Sequence, residues 1–557
     1  MQKKITPNPL TLKWLIENSV KNFSQYLSVS YVDGTPISYK QLGEKIDKIA
    51  QLLFSFDLQK GDKVALFSQN MPNWVIAYFA IVSKGLIVVP ILPDFTKEET
   101  KNVLEHSEAK ALIVSDKLSE KTNDLNIPNI KAQILIDDFS IIKGKSIEKS
   151  LGIIEINKID VLEEDIAAII YTSGTTGRSK GVVLSHKNIT FVAMQSFTIQ
   201  KIDHNDIFLS LLPLSHTYEN SIGMLYPILY GASIYYLEKP PTAATLLPAL
   251  SKIKPTMMLS VPLILEKIYK NQIYLKFRTS PLKKLIYRTP LTRKLIHRIA
   301  GKKLFTTFGG RLKFIGIGGA KLDYYVERFL KEGHFPYAIG YGLTETAPLL
   351  AGTAPHQTVL QSTGFAMEGV TLKIHEPNSE GVGEIWAKGP NVMQGYYKNQ
   401  DATDEVLTSD GWFQTGDLGI IDAKKRLFIK GRKKNTIVGA SGENIYPEDI
   451  ESVINNSEFV VESLVIEEDG FLVAKVLLDI EALEKSIEQI KTKVEQKKVN
   501  FAEWKEHFTK DVNSKLNRTS QIKRVDVMDE PFEKTASQKI KRFKYTKTPK
   551  KEKKNVH

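Results

Sequence analysis

The run from Tyr171 to His186, YTSGTTGRSKGVVLSH, concentrates the residue types that can hold a polyphosphate. Gly174 and Gly177 free the backbone to turn its N–H groups inward. The hydroxyls of Thr172, Ser173, Thr175 and Thr176 add donors, and Lys180 brings a compact positive charge. The Walker A spacing, GxxxxGK[ST], cannot be laid on either glycine. Taken alone, the run fits a solvated turn between a strand and a helix as well. Three other segments carry complementary chemistry. Gly340 to Thr346, GYGLTET, offers glycines, an aromatic ring, a hydroxyl and a carboxylate, which can stack a base, touch a phosphate and hold a magnesium ion. Gly411 to Asp417, GWFQTGD, ends in a carboxylate after a Gly turn, able to accept two hydrogen bonds from ribose hydroxyls. LPLSHTYE places His216 just past a strand end, where it suits a ligand crevice or, equally, a locally satisfied polar residue.

The elements that must position these loops follow from hydrophobic periodicity. Asp165 to Ile170 is a short apolar run of the kind that makes a buried strand. Upstream, apolar strands such as Lys63 to Phe67 and Ala111 to Val114 alternate with amphipathic stretches at Tyr39 to Phe56 and Thr96 to Ser107. That alternation predicts a mostly parallel, layered α/β arrangement. Downstream, Phe208 to Pro213, Pro255 to Val261, Lys313 to Ile317 and Tyr337 to Ile339 read as strands, and Pro262 to Ile273 reads as a helix. The strand at Lys313 runs into Gly318-Gly319-Ala320. Gly383 to Lys388 and Arg426 to Ile429 resemble strands of a β-rich subdomain. At Gly431 to Asn435 the pattern resets to a new α+β set: a helix over Tyr446 to Asn455, strands over Val460 to Ile466 and Leu472 to Leu478, and a charged helical region from Ile480 to Leu516. Residues after Tyr545 form a Lys-rich tail with no apolar face, which predicts disorder.

A chain of 557 residues is too long for one core, and 42% hydrophobic with 25% charged residues is an ordinary globular balance. The absence of cysteine excludes disulfides, zinc–thiolate sites and a thiol nucleophile. Val75 to Leu92, the most apolar run, is broken by Ser83, Lys84, Gly85 and Pro90, and so reads as buried helix, turn and strand, not a membrane span. The N-terminus lacks the apolar region of a signal peptide. The net charge of +13 is local: Lys276 to Lys303 holds ten Lys or Arg and no acid, and Lys539 to the end carries nine against Glu552. In the first of these segments Leu282, Leu285, Ile286, Leu291, Leu295, Ile296 and Ile299 recur at roughly helical spacing, with Pro281 and Pro290 interrupting. Such a helix can lie in a membrane interface, or it can turn a cationic face to water over a core-packed stripe. No nucleic-acid module accompanies the charge, so none is expected as partner.

Together these loops resemble the adenylate-forming, AMP-binding superfamily of acyl-activating enzymes, from about Tyr39 to Tyr545. YTSGTTGRSKG is similar to its phosphate loop, YGLTET to its Thr–Glu motif, and WFQTGD to its ribose-binding segment. GRKKNTIVGASGENIYPEDIE is similar to its hinge and the loop that follows, and PFEKTASQKIKR to its C-terminal Lys motif, with Gln538 where the family usually has Gly. Within the superfamily, LPLSHTYE with Glu219, VPLILEKIY and the basic insertion resemble long-chain fatty acid–CoA ligases. The resemblance implies an α/β fold: a large N-terminal domain (1–430) of two layered α/β subdomains plus a β-rich subdomain, a hinge (431–435), a small mobile α+β domain (436–545) and a basic tail (546–557).

It also implies a reaction. A fatty carboxylate, already an anion, attacks the α-phosphorus of ATP, pyrophosphate leaves, and the thiol of coenzyme A then displaces AMP. Thr172, Ser173, Gly174, Thr175, Thr176, Gly177 and Lys180 are thereby expected at the β- and γ-phosphates. Thr344 is expected at the α-phosphate, and Glu345 with Thr176 at Mg²⁺. Gly319, Ala320, Tyr341 and Gly342 are expected around adenine, Asp417 and Arg432 at the ribose, and His216 at the mouth of an acyl tunnel. Lys539 would reach the carboxylate and α-phosphate oxygens. Rotation about Lys433 and Lys434 would exchange Lys539 for the segment holding Gly442. Expected cofactors are ATP, Mg²⁺ and coenzyme A, with an acyl carrier protein as the alternative acceptor and a non-catalytic lipid- or nucleotide-binding protein as a more distant reading. The expected location is cytoplasmic, with peripheral contact to the anionic inner face of a membrane.

Overall fold

A computed structural model describes residues 3–145, 153–172, 179–270, 273, 281–439, 444–457, 459–480, 501–535 and 539–546. Two large sheets dominate it. In the first, the strands run in the order Gly395–Tyr396, Lys180–Ser185, Ile166–Thr172, Ile87–Ile91, Lys63–Phe67, Ala111–Val114, Ala132–Leu135 and Ile141–Lys143. From Ile166–Thr172 across to Ala132–Leu135 its pairs are parallel and nearly all the residues are buried, as expected for apolar runs covered on both faces. The helix Pro72–Val82 is buried on every side from Trp74 to Val82, which explains why this apolar run shows no amphipathic stripe.

The second sheet has the order Tyr337–Ile339, Phe314–Ile317, Met257–Ser260, Ile207–Ser210, Ser233–Tyr236, Leu27–Tyr31 and Ile37–Ser38, parallel except for the last pair. Parallel order sends the C-terminal ends of neighbouring strands to one edge, where ligand crevices form. His216, Gly319 and Tyr341 all follow such ends. A four-stranded antiparallel sheet, Thr371–His375, Gly383–Lys388, Phe413–Ile421 and Leu427–Arg432, supplies the β-rich part.

A last unit contains the strands Val460–Glu468, Phe471–Leu478 and Arg524–Met528, with helices Pro447–Asn455 and Phe501–Asn513 over them. Its apolar cluster, centred on Ile450, Ile454, Val465, Val476, Phe508 and Val512, is separate from those of the large sheets. It touches the second sheet's flank through Lys321–Asp449 at 2.5 Å, Ser452 Oγ donating to Asp323 at 3.2 Å, and Lys270 Nζ donating to the Val460 carbonyl at 2.7 Å.

Two expectations are corrected. The glycine-rich run does not link a strand to a helix: it closes an antiparallel pair, Ile166–Thr172 with Lys180–Ser185, in which Thr172 faces Lys180. The helix His186–Ile199 begins only after that second strand, capped by the Ser185 side chain. Pro281 and Pro290 do not interrupt helices; they start them, at Pro281–Arg288 and Pro290–Thr307, because the first helical position needs no backbone N–H. The helix expected over Pro262 to Ile273 is α-helical to Tyr269, and Lys270 and Ile273 are π-helical. Of the charged region expected from Ile480 to Leu516, Phe501–Asn513 is helix, while residues 481–500 and the tail beyond Thr546 lie outside the described residues.

Candidate active site

Phe413–Ile421 and Leu427–Arg432 are antiparallel neighbours, and their register sets Asp417 opposite Arg432. Arg432 Nε lies 2.9 Å from Asp417 Oδ1, and the Tyr341 hydroxyl donates to Asp417 Oδ2 at 2.9 Å. Asp417 is only 5% exposed. Burial pushes its carboxyl above the usual value, against the opposing pull of Arg432 and Tyr341, while Asp417 in turn raises Arg432. The group is an ion pair whose carboxylate still has lone pairs for two more donors.

The loop after Tyr337–Ile339 is held tightly. Thr344–Thr346 is a 3-10 turn in which Thr346 Oγ1 donates to the Pro348 carbonyl at 2.6 Å and accepts from the Leu343 N–H at 3.1 Å. A Cβ on Gly342 would sit 1.7 Å from the Pro348 carbonyl oxygen, so only glycine fits. Glu345, within the turn, accepts a hydrogen bond from the Tyr396 hydroxyl at 2.9 Å. The Tyr396 ring also lies under the ammonium of Lys180, 4.7 Å from Nζ to the ring centre. Lys180 and Glu345, distant in sequence, thus share one tyrosine. Thr172 Oγ1 donates to the Lys180 carbonyl at 3.5 Å. Gly319 and Ala320 sit exposed past the end of Phe314–Ile317, with Gly319 at φ +86°. Ser173, Gly174, Thr175, Thr176, Gly177 and Gly442 lie outside the described residues.

Lys539 comes from the C-terminal unit. Its backbone N–H donates to Thr535 Oγ1 at 3.2 Å, and its side chain, though open to solvent, is hemmed in by the cleft. That crowding and the Arg432 charge lower its ammonium pKa, while Asp417 and Glu345 pull the other way. Lys434 is depressed by the same kind of burial and by Arg432, and it feels both Lys539 and Lys180. It therefore faces the cationic group, whereas Lys433 turns away to Glu384 at 2.9 Å. His216 is lowered to about 4 by burial and by Lys539, so it is neutral at pH 7. Its Nδ1 accepts from the Tyr218 N–H at 3.3 Å, which leaves the proton on Nε2. Buried Glu219 behaves oppositely. Burial raises its carboxyl to about 8, with Ser210 and the Leu212 N–H partly opposing.

Beside this group lies a narrow apolar cavity on one face of the second sheet. Met257, Leu259, Phe314, Gly316 and Ala338 form its strand wall, and Ile199, Tyr218, Ile222 and Tyr226 face them. Tyr218, Ile222 and Tyr226 line up because Glu219–Leu225 is a π-helix, whose wider turn brings every fourth residue closer to one row than an α-helix does. The cavity is also lined by Gly340, just before Tyr341, and by Phe208 and Phe314 near the starts of their strands. At that deeper end the Tyr226 hydroxyl bonds the Gln200 carbonyl.

Among the described residues no group of three or more His, Asp or Glu is placed to hold a metal ion. A lone carboxylate such as Glu345 suits Mg²⁺, which keeps waters and takes its other ligands from phosphates.

The profile of the AMP-binding enzyme family matches residues 16–397. The chain belongs to this family. Curated relatives of this AMP-binding enzyme include long chain acyl-CoA synthetase 1 of Arabidopsis thaliana, 30% identical over 89% of this chain and 83% of the relative. Fatty acyl-CoA synthetase A of Dictyostelium discoideum is 28% identical over 81% and 73%. Among solved structures, the Bacillus subtilis O-succinylbenzoate coenzyme A synthetase in complex with AMP superposes with a TM-score of 0.74 at 23% identity, covering 96% of this chain and 98% of that one. The ATP-bound MatB of Rhodopseudomonas palustris gives 0.74 at 22% identity, covering 95% and 97%. These likenesses show the fold of the AMP-binding enzyme along nearly its whole length. No described helix is long and apolar enough to cross a membrane.

Sequence reasoning passed over one residue of this AMP-binding enzyme's cleft and gave a second a different part. Tyr396 carries no motif signal of its own beyond the aromatic pair in QGYYKN, and its contact with Lys180 depends on the pairing of Gly395–Tyr396 with Val182 and Val183. Lys434 was expected as a pivot, and nothing in GRKKN distinguishes the lysine that turns inward from the one that turns out.

Proposed function

We propose that this chain is a long-chain fatty acid–CoA ligase, joining a fatty acid to AMP at the expense of ATP and then passing the acyl group to coenzyme A. The observation that carries it is the apolar cavity beginning at Gly340 and Tyr218, beside the Tyr341–Asp417–Arg432 group and Lys539. An apolar tail and a nucleotide thus have adjoining sites, with their reactive ends at the cationic junction. The names of the curated relatives support the long-chain class.

In the first half-reaction the substrate carboxylate needs no base. It displaces pyrophosphate from the α-phosphorus, and the barrier falls mainly through positioning and neutralisation of charge. Asp417 accepts from the ribose hydroxyls while Arg432 fixes the carboxylate's orientation. Gly319, Ala320, Tyr341 and Gly342 border the base. Thr344 donates to the α-phosphate, and Lys180, with Thr172 and the residues from Ser173 to Gly177, holds the outer phosphates. Glu345, with Thr176, would hold Mg²⁺, which when bound neutralises phosphate charge. Lys539, with Lys434 behind it, stabilises the negative charge that builds between carboxylate and phosphate. Neutral His216 presents Nε2–H at the cavity mouth and can orient the substrate carboxylate without competing for a proton.

In the second half-reaction the segment 436–545 turns about Lys433 and Lys434, withdrawing Lys539 and bringing Gly442 and its neighbours to the thioester site. Asn435 Nδ2, which donates to Glu448 at 2.7 Å, and the Lys321–Asp449 pair would have to part in that movement.

The test is pyrophosphate exchange with acids from acetate to long-chain fatty acids, followed by addition of coenzyme A or a holo carrier protein. Exchange that rises with chain length and a CoA thioester product are expected. Exchange confined to short acids would overturn the substrate class, and a thioester formed only on carrier protein would overturn the acceptor.

A further inference from the structure

The basic insertion turns its apolar residues outward. On the helix Pro290–Thr307 the buried residues are His297, Gly301 and Leu304, while Leu291, Leu295 and Ile299 are 80%, 59% and 65% exposed. These three are spaced four apart and share one face. Lys294, Arg298 and Lys302 fall on that same face, each three residues after a member of the apolar row. On the preceding helix Leu285 is 63% exposed. The orientation is fixed from beneath. Gly301 packs so closely on the neighbouring helix end that a Cβ would lie 2.3 Å from the Gly333 carbonyl oxygen. Arg293 is bound to Glu332 at 2.9 Å, and the Tyr287 hydroxyl lies 2.7 Å from His297 Nε2. Rolling the helix to bury its leucines would break all three contacts. The core-packed reading of the stripe is therefore wrong.

We infer that this ridge is a docking surface for an anionic lipid membrane. Pro281 to Thr307 contains eight Lys or Arg and no acid. Among the described residues Arg288, Lys294, Arg298, Lys302 and Lys303 have no ion-pair partner. Cations interleaved with exposed leucine and isoleucine are complementary to an interface that is negative at its surface and apolar beneath. A second copy of this chain docking by the same face would set like charges against each other, which disfavours it as occupant. The ridge lies across the second sheet from the apolar cavity: Leu304 and Phe308 share an apolar cluster with Met258 and Ile315, whereas the cavity touches Met257, Phe314 and Ala338. The surface thus anchors the protein and does not open the acyl site directly. It stands independently of the reaction proposed above.

The test floats the full-length protein with phosphatidylcholine vesicles, with and without phosphatidylglycerol, at low and high salt. Binding to the anionic vesicles alone, reversed by salt, is expected. Leu291→Ser/Leu295→Ser/Ile299→Ser should weaken it at least ~10-fold, and Lys294→Glu/Arg298→Glu/Lys302→Glu should abolish it. Both variants should keep the wild-type thermal midpoint and wild-type turnover of a water-soluble acid. Failure of the wild type to float, equal binding to neutral vesicles, or undiminished binding by either variant overturns the assignment. So does a result in which the variants change only the oligomeric state.

Discussion

Arg432 Nε and Asp417 Oδ1 lie 2.9 Å apart across two adjacent antiparallel strands, at positions directly paired in register. The buried carboxylate is thereby aimed by the sheet itself, with Tyr341 holding its second oxygen. Asp417→Asn keeps the shape but removes the charge and an acceptor. We expect KM for ATP to rise ~10- to 100-fold, the loss of a charge-assisted hydrogen bond pair. Initial rates at varied ATP check this, and an unchanged KM would remove the ribose role.

Lys539 should separate the two half-reactions. Lys539→Ala is expected to slow acyl-AMP formation by ~100-fold or more, as for loss of one preorganised charge at a reacting centre. Thioester formation from supplied acyl-AMP should be nearly unaffected. Because crowding and Arg432 lower the Lys539 pKa, the ammonium is lost at a lower pH than an ordinary lysine loses it. Pyrophosphate exchange should therefore decline with rising pH before a free lysine would titrate. Equal loss of both half-reactions in the Ala variant would contradict the alternation of domains.

Gly352 borders the apolar cavity, and a Cβ there would meet the Ile199 Cδ1 at 2.8 Å. Gly352→Ile should fill the space that a long tail needs. The expected result is a fall of ~10-fold or more in kcat/KM for long acids, with shorter acids spared, in line with the 1–3 kcal/mol that steric fit of a methylene or two commands. A uniform loss at every chain length would mark the change as structural and detach the cavity from the acyl group.

Glu219 makes a prediction about stability. Its carboxyl, 1% exposed, is raised to about 8 by burial, against about 4.5 in the unfolded chain. The folded state therefore holds the proton more tightly, so its contribution is full below pH 4.5 and is lost as pH rises toward 8. Glu219→Gln, neutral at every pH, should escape that loss. Its stability relative to wild type should improve by on the order of 3 kcal/mol between pH 5 and pH 8. Urea denaturation at the two pH values measures the difference, and parallel curves would show that Glu219 is not a protonated acid at neutrality.

Much of this architecture was legible because its signals are local. The apolar runs at Lys63, Ala111 and Phe314 became strands close to their expected bounds, since a β-branched run flanked by turn residues has few other outcomes. What failed was pairing and orientation. That the glycine-rich run closes a hairpin depends on Thr172 facing Lys180, a contact between strands that no periodicity announces. The row Leu291, Leu295 and Ile299 has the spacing of a buried stripe, yet Gly301 and His297 took the inward side because a close helix contact at Gly333 needed a residue without a side chain. In the cleft, the motifs named the members that came together at Asp417 and Arg432. Tyr396 was invisible because it arrives on an edge strand from far along the chain.

The fit of Gly342 against Pro348 has a consequence for how the site responds to substrate. With no room for even a methyl group, this stretch cannot yield by small local adjustments, so Thr344 and Glu345 form a fixed rail. Adaptation to different acids then falls to the apolar cavity beyond Gly340. The nucleotide then serves as the ruler, and the fatty acid is the partner that has to be accommodated.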